Sequence, residues 1–312
     1  DDNSRSNPDI LLNAEKIKPQ LVPNKADGTV DINWQVEEKS ADQLELSAGF
    51  GGGIGLTGTL GVTFNNFSIK NFTKGSSSWD HYLPSGDGQK FSARIQSNGR
   101  AYRSYNFSFT EPWLGGKKRN SFSVNYFNTR YANAYDPLTG QPCKACGKQS
   151  YVNTVGFGVA LGKQLKWPDD FFNLIYSLNV QQYRLKNYSN IFAGLSNGTS
   201  TNLSLKITLL RNSAGPNPIF PTGGSNVMLS GQFTLPYSLL GISSGASNQY
   251  KLPEFHKWRF TSDWYVPIGT AKGADKNKQF IMKASAKYGF IGKYNQNLNV
   301  SPFERFQLGD AG

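Results

Sequence analysis

The sequence lacks long apolar runs and is poor in cysteine and histidine, and each shortage excludes a class of protein. No run of about 18 apolar residues is present, so the chain offers no candidate for a membrane-spanning helix. The only cysteines are Cys143 and Cys146, so the second cysteine pair that would complete a zinc site is missing. The only histidines, His81 and His256, lie outside any H-E-x-x-H motif. The sequence therefore predicts a protein that is not an enzyme and that binds no metal or cofactor.

The charge of the chain is the second guide to its function. Lysine and arginine total 33 residues against 21 aspartate and glutamate residues, which gives a net charge of +12 at pH 7. A basic chain can bind nucleic acid, but these cations are scattered through turns and polar strand faces, as at 117–119 and 272–278. This distribution favours a solvated surface or contact with anionic lipid headgroups, and no nucleic-acid partner is expected.

Segments in which apolar and polar residues alternate recur from about residue 44 to residue 290. In residues 105–110, for example, Tyr105, Phe107 and Phe109 alternate with one amide and two hydroxyl side chains. A period of two is typical of β-strands, and a tilted strand needs about 9–11 residues to cross a bilayer. Because only a closed barrel satisfies every backbone polar group of a sheet in hydrocarbon, the pattern predicts an all-β fold, a transmembrane antiparallel β-barrel.

The alternation predicts eleven strands in this barrel. Single-chain bacterial barrels have an even number of strands, so the chain is interpreted as part of a larger barrel. If the first strand starts in the periplasm, the connections near 51–55, 131–150, 185–200 and 237–255 face outside. The connection between Phe67 and Gly88 is then a long periplasmic turn, whose role the sequence does not give. The predicted strands are 43–50, 56–66, 88–97, 103–111, 119–130, 151–162, 172–184, 201–211, 225–236, 256–267 and 279–290.

Two features lie outside the barrel pattern. Residues 1–40 combine a polar, proline-containing stretch with one alternating strand from Val30 to Glu38, and we interpret them as the end of a preceding periplasmic domain with its linker. The barrel then occupies 41–312, and the start at Asp1 is expected to be internal or mature.

The Cys143–Cys146 pair forms a C-x-x-C motif, which can be a local disulfide, a redox motif or half of a zinc site. A disulfide in an outward-facing loop is expected, because no predicted helix start follows that would lower a thiol pKa.

Several segments, in this order and spacing, resemble the BamA-type outer-membrane protein assembly factors. That family combines periplasmic polypeptide-transport-associated domains with a barrel of sixteen strands, of which about eleven would be present here. Residues 30–38 resemble the final strand of the last periplasmic domain, and residues 46–51 resemble the first barrel strand. The other matching segments are 109–114, 218–224 and 264–268, and 302–309, which is similar to the start of the long sixth extracellular loop.

The resemblance implies a function without covalent chemistry. It implies a factor of the bacterial outer membrane that folds and inserts barrel proteins through a lateral gate at its first strand, with its N-terminal part in the periplasm. The implied partners are unfolded outer-membrane barrel clients, assembly lipoproteins, periplasmic chaperones and outer-membrane lipid. The implied gate residues are Leu44, Glu45, Leu46, Ser47, Ala48, Gly49 and Phe50, and the start of the sixth loop is Phe303, Glu304, Arg305 and Phe306.

The chain departs from the family pattern in two places. The family's Arg-Gly-Phe/Tyr loop motif and its last five strands would follow Gly312, so truncation in the sixth extracellular loop is expected. The asparagine-and-glycine turn after the second barrel strand is replaced by residues 65–68 and the long insertion. Three alternatives stay open: a secretion translocon or autotransporter-assembly relative of the same superfamily, a passive porin or transporter, and a barrel lipase.

Overall fold

The computed structural model contains one large antiparallel sheet and two small two-stranded sheets. The large sheet has eleven strands, each paired with its neighbours in the chain, from β5 at one edge to β15 at the other. Within the described residues no pairing joins these two edge strands. The structure describes residues 11–12, 18–24, 28–35, 38–39, 42–51, 55–75, 84–99, 101–116, 118–133, 136, 139, 141, 143, 145–188, 196–217, 219–242, 250–269 and 280–306.

The strand bounds agree with the periodicity of the sequence, and the predicted all-β antiparallel fold is confirmed. The largest difference is at β12, which was predicted to start at 201 and starts at Gly198. The strands of the two small sheets are β1 (Leu11–Leu12), β2 (Lys18–Asn24), β3 (Thr29–Gln35) and β4 (Glu38–Lys39), where β1 pairs with β4 and β2 pairs with β3. The large sheet comprises β5 (Gln43–Gly51), β6 (Gly55–Phe67), β7 (Gln89–Ser97), β8 (Tyr102–Glu111), β9 (Asn120–Ala132), β10 (Tyr151–Gln164), β11 (Phe172–Lys186), β12 (Gly198–Asn212), β13 (Gly224–Thr234), β14 (His256–Ile268) and β15 (Phe280–Gly292).

The large sheet buries polar side chains and exposes apolar ones. On β12, Ser204 is 3% exposed, whereas its neighbour Leu205 is 43% exposed. We call the two surfaces the polar face, which also carries Ser104 and Ser230, and the apolar face, which also carries Phe107. This inverted arrangement is typical of a transmembrane barrel, whose interior is polar and whose outer band meets lipid. Among the described helices, none is long and apolar enough to cross a membrane.

The sheet has two ends that differ in their connections. One end, here called the loop end, carries the connections 133–150, 187–197 and 235–255. The other end, the turn end, carries 112–119 and 213–223, together with the segment between β6 and β7. The helix α2 (Cys146–Gln149) lies at the loop end, and α1 (Ile69–Lys74) lies at the turn end.

The long turn expected after Phe67 is folded onto the sheet where the structure describes it. Ser68, which is buried, caps α1 by accepting a hydrogen bond from the Asn71 amide at 3.1 Å, and its hydroxyl donates to Asp87 at 2.6 Å. The Phe67 ring packs against Phe72 of α1 and is 5.6 Å from the Phe91 ring on β7. Residues 68–75 and 84–88 of the insertion therefore pack on the sheet wall, and His81 lies outside the described residues.

The N-terminal region differs from its prediction. The strand expected from Val30 to Glu38 ends at Gln35 as β3, and Glu38 belongs to β4, which pairs with β1. β3 pairs along its whole length with β2, which the sequence analysis assigned to a polar stretch. Pro19 and Pro23 hid β2, because proline cannot donate to a ladder and argues against a strand unless the strand lies at an edge. In a two-stranded sheet each strand is an edge, so the prolines are tolerated.

Candidate functional site

The predicted gate residues all lie on β5, the first strand of the large sheet. β5 pairs with β6 from Gln43 opposite Thr63 to Gly51 opposite Gly55, and its other edge has no partner within the described residues. Alternation places Leu44, Leu46, Ala48 and Phe50 on the apolar face, where Leu46 is 81% exposed. Glu45, Ser47 and Gly49 lie on the polar face by the same alternation. A strand with one unpaired edge exposes a row of N–H and C=O groups that can pair with another strand.

One ion pair fastens β5 from the polar face. Glu45 of β5 and Arg94 of β7 approach to 2.7 Å across the intervening β6 residue, Gly61. A Cβ atom at Gly61 would lie 3.2 Å from Glu45 Oε2, so glycine leaves room for the bridge. Both charged side chains are 45% exposed, and an exposed pair of this kind contributes about 1 kcal/mol at most. The glycine crowding of the first hairpin thus has a packing reason at Gly61, whereas Gly49 faces open space.

The start of the predicted sixth loop lies against the polar face of the sheet, far from β5 in strand order. A 3-10 helix spans Pro302–Glu304, and Glu304 is 7% exposed. Its carboxylate accepts a hydrogen bond from Asn202 Nδ2 at 2.7 Å and lies 3.6 Å from Lys257 Nζ, which also donates to the Glu304 carbonyl at 2.7 Å. We call residues 301–306 the anchor segment, because these bonds tie it to β12 and β14.

Aromatic contacts complete the anchor segment. Phe303 stacks on Tyr183 of β11, with ring centroids 4.0 Å apart and planes 11° from parallel. Phe306 receives the ammonium of Lys257 at 4.8 Å from its centroid, and its ring covers Gly289 of β15, where a Cβ would come within 2.8 Å. Arg305, the fourth predicted residue, is exposed.

Burial raises the pKa of the Glu304 carboxyl, while the ammonium of Lys257 and the Asn202 hydrogen bond act in the opposite direction. The sequence analysis did not identify Tyr183, Asn202 or Lys257 as partners. Asn202 and Glu304 are 102 residues apart, and no local pattern reports a contact at that separation.

Cys143 and Cys146 are joined by a disulfide at the loop end of the sheet. Contrary to the expectation that no helix starts there, α2 begins at Cys146, although it has only four residues. The helix packs beside the end of β9, where Arg130 Nη2 donates to the Gly147 carbonyl at 2.9 Å.

His256, the histidine that the structure describes, is the first residue of β14 and packs between the Phe290 and Tyr294 rings. Its Nδ1 accepts a hydrogen bond from Trp258 Nε1 at 3.1 Å, so neighbouring side chains hold its ring in place. Within the described part of the chain, no group of three or more His, Cys, Asp or Glu residues could hold a metal ion.

Comparisons with known proteins agree with this architecture. The outer membrane protein assembly factor BamA of Neisseria meningitidis serogroup B is 23% identical over 293 residues, which are 91% of this chain and 31% of that protein. Two solved structures share the fold. The crystal structure of BamA from Haemophilus ducreyi lacking POTRA domains 1-3 has a TM-score of 0.57 at 19% identity, covering 99% of this chain and 52% of that one. CdiB from Escherichia coli has a TM-score of 0.50 at 12% identity, covering 90% and 46%.

These comparisons confirm the resemblance to BamA-type factors, and the chain spans about a third of the curated relative and about half of each solved structure. The model of the Omp85 superfamily domain matches residues 85–312, well over half of the sequence. The chain therefore belongs to the Omp85 superfamily.

Proposed function

We propose that this protein is an outer-membrane protein assembly factor, which folds and inserts β-barrel proteins through a lateral gate at β5. The loop end of the sheet faces the outside of the cell, and the small N-terminal sheets lie in the periplasm. The partners are unfolded outer-membrane barrel clients, with assembly lipoproteins and periplasmic chaperones on the periplasmic side. Support comes from membership of the Omp85 superfamily and from the similarity to a protein named as an assembly factor.

The observation that carries the proposal is the position of β5 as the first strand of the large sheet, where its ladder to β6 is reinforced only by an exposed ion pair among the described residues. An incoming client strand can add to the edge of such a strand through main-chain hydrogen bonds, as in other cases of β-augmentation. Leu44, Leu46 and Phe50 expose their side chains on the apolar face, so an added strand in register would continue the same lipid-facing surface. No covalent bond changes in this process, so the mechanism requires no catalytic residue and no cofactor.

The two parts of the site have different roles in this mechanism. The anchor segment joins strands β11, β12, β14 and β15 on the polar face and stiffens that part of the wall. β5 is held by its ladder to β6 and by the exposed Glu45–Arg94 pair. Opening is therefore expected at β5, where the interactions to be broken are weakest.

The test uses the full-length protein in lipid vesicles with an unfolded barrel client, and it compares proline at two adjacent positions. Successive backbone N–H groups of a strand point to opposite edges, so one of Leu46→Pro and Ser47→Pro removes a donor from the free edge and the other removes a donor from the β5–β6 ladder. The free-edge variant should fold and yet lose client insertion. Ser47→Ala is the matched control, because it keeps the backbone donor and should insert clients normally.

A second arm locks the gate. A cysteine pair that cross-links β5 to the last strand of the full-length barrel should block insertion, and reductant should restore it. Full insertion by the oxidised, locked protein would contradict the lateral-gate mechanism.

The alternative of a secretion translocon or autotransporter-assembly relative keeps the same scaffold, and the fold similarity to CdiB is compatible with it. That alternative predicts transport of a soluble or passenger chain without insertion of unrelated barrels. A passive porin would conduct ions steadily whether or not β5 is cross-linked.

A further inference from the structure

Three arginines lie in one row on the apolar face of the sheet, at the loop end. In the strand register Arg103 of β8 lies opposite Arg130 of β9, Arg130 lies opposite Asn153 of β10, and Asn153 lies opposite Arg184 of β11. Each arginine has the parity of the apolar side chains on its own strand, as Arg103 has that of Phe107. The sequence analysis assigned the cations to turns and polar strand faces, and the structure corrects that assignment at these three positions.

The positive charges of the row are not neutralised by a described carboxylate, unlike the charge of another arginine on the same face. Arg211, at the turn end of β12, has a salt bridge to Asp169 at 2.9 Å and hydrogen bonds to Ser213 and Ser225. None of the three arginines of the row has an ion-pair partner among the residues that the structure describes. Arg103 and Arg130 are directly opposite, and like charges in that relation destabilise an antiparallel pair. An anion between them would convert this repulsion into attraction.

Neighbouring groups hold the guanidinium groups in place. Arg130 stacks on the Tyr151 ring, with Cζ 4.1 Å from the ring centroid, while its Nη2 donates to the Gly147 carbonyl beside the disulfide. Arg184 Nε donates to Gln182 Oε1 at 2.7 Å. Arg130 and Arg184 each use one nitrogen in these bonds, whereas a guanidinium group has five N–H donors. Donors therefore remain for a ligand, in a recess of about 340 Å³ that all three arginines line.

We propose that Arg103, Arg130 and Arg184 form a binding site for a phosphorylated glycolipid of the outer leaflet, with its phosphates on the arginine row and its acyl chains on the apolar side chains below. The position of the row in the outer leaflet rests on the orientation given under the proposed function. Arginine suits this ligand because its planar fork binds phosphate oxygens in pairs.

The register of the sheet favours a ligand with two phosphates. Neighbouring strands are about 4.8 Å apart, so one phosphate can accept from both Arg103 and Arg130. Arg184 lies two strand spacings beyond Arg130, about 10 Å away, and requires a second phosphate. Toward the middle of the same strands the apolar face carries Phe107, Phe157 and Leu178, which are exposed and suited to acyl chains.

The experiment measures binding of a two-phosphate lipid A to the full-length protein purified in detergent, by native mass spectrometry. Dephosphorylated lipid A, phosphatidylglycerol and inorganic phosphate are titrated in parallel. Two-phosphate lipid A should bind at least ten-fold more tightly than each of the three. The triple variant Arg103→Gln, Arg130→Gln and Arg184→Gln should bind it at least ten-fold more weakly. Lys163→Gln is the matched control, because Lys163 is an exposed cation at the turn end of β10, on the same face.

Several results would overturn the proposal. They are equal binding of phosphorylated and dephosphorylated lipid A, unchanged binding by the triple variant, and an equal loss in Lys163→Gln. Equally tight phosphatidylglycerol would refute the two-phosphate assignment, and equally tight inorganic phosphate would refute a lipid ligand. If the triple variant does not fold, the single variants Arg103→Gln and Arg184→Gln, at exposed positions, should each weaken binding about three-fold, and no loss in either would count against the site.

The two proposals fail separately. Lipid binding is measured without a client, so the free-edge proline variant of β5 should keep it. A triple variant that loses lipid A but still inserts clients leaves the proposed function intact. A wild-type protein that binds lipid A but inserts no client refutes the proposed function alone.

Discussion

The assignment of the two faces of β8 makes a sharp prediction, because adjacent residues should respond oppositely to the same substitution. Phe107 lies near the middle of β8 on the apolar face, and its ring is 6.3 Å from that of its cross-strand partner Tyr126. Asn106 lies on the polar face, donates to Ser104 Oγ at 3.1 Å and borders a recess of about 170 Å³. We predict that Phe107→Arg is strongly destabilising and that Asn106→Arg is tolerated.

The magnitudes follow from the two environments. Arginine on the lipid face at the bilayer midplane costs about 2–4 kcal/mol, and loss of the aromatic pair with Tyr126 adds about 0.5–1.5 kcal/mol. Asn106→Arg gives up one hydrogen bond, about 0.5–1.5 kcal/mol, in a polar interior that can solvate the new charge. The two variants should therefore differ by about 1–5 kcal/mol, and the lower bound is roughly a five-fold difference in the unfolding equilibrium.

The assay is equilibrium unfolding in guanidinium chloride of the full-length protein refolded into phospholipid vesicles, followed by tryptophan fluorescence. Phe107→Leu serves as the control, since it removes the aromatic pair without adding charge and should cost about 1 kcal/mol. A register shift of one residue would exchange the two faces. Equal destabilisation by Phe107→Arg and Asn106→Arg would refute the assignment, and a larger effect at Asn106 would show that the faces are inverted.

Three further predictions concern the disulfide, the anchor segment and the ion pair of β5. Reduction of the native protein should raise its intact mass by two hydrogens, and free thiols at Cys143 and Cys146 before reduction would contradict the bond. Glu304→Ala should release the anchor segment, because it leaves the charge of Lys257 buried without its partner, at a cost of about 3–5 kcal/mol. The release should appear as faster amide hydrogen exchange at 301–306, and unchanged protection would contradict the anchor. In a double-mutant cycle, Glu45→Gln and Arg94→Gln should show a coupling of about 0.2–1 kcal/mol, and a coupling well above that range would show that the pair is shielded from solvent.

The strands of the large sheet could be predicted from the sequence because their alternation is a direct consequence of having different solvents on the two faces. Each predicted segment coincides with a strand, since polar and apolar side chains must change face at every residue. Alternation does not reveal β2, where Pro19 and Pro23 remove the usual strand signal. Alternation also does not report the fold of the insertion after Phe67, because that fold depends on Ser68 capping a short helix and donating a hydrogen bond to Asp87.

Contacts between distant parts of the chain could not be predicted from the sequence. Glu304 could be named as part of a loop, but its partner Asn202 lies 102 residues earlier and resembles any other polar residue of an alternating strand. The arginine row has the same origin. Its three arginines are far apart in the chain and look like scattered charge in the sequence. The register of four strands places Arg103, Arg130 and Arg184 side by side.

The distribution of interaction strength around the sheet supports opening at β5 rather than at a strand from β6 to β14. Every strand from β6 to β14 has a ladder on both sides, so parting any pair of them breaks a full set of main-chain hydrogen bonds. On the polar face, opening near β12 or β14 would also break the buried contacts of Glu304 with Asn202 and Lys257. β5 is reinforced by the exposed Glu45–Arg94 pair, which contributes about 1 kcal/mol at most. A thermal fluctuation, or a competing strand that offers equivalent main-chain bonds, should therefore act first at the edge of β5.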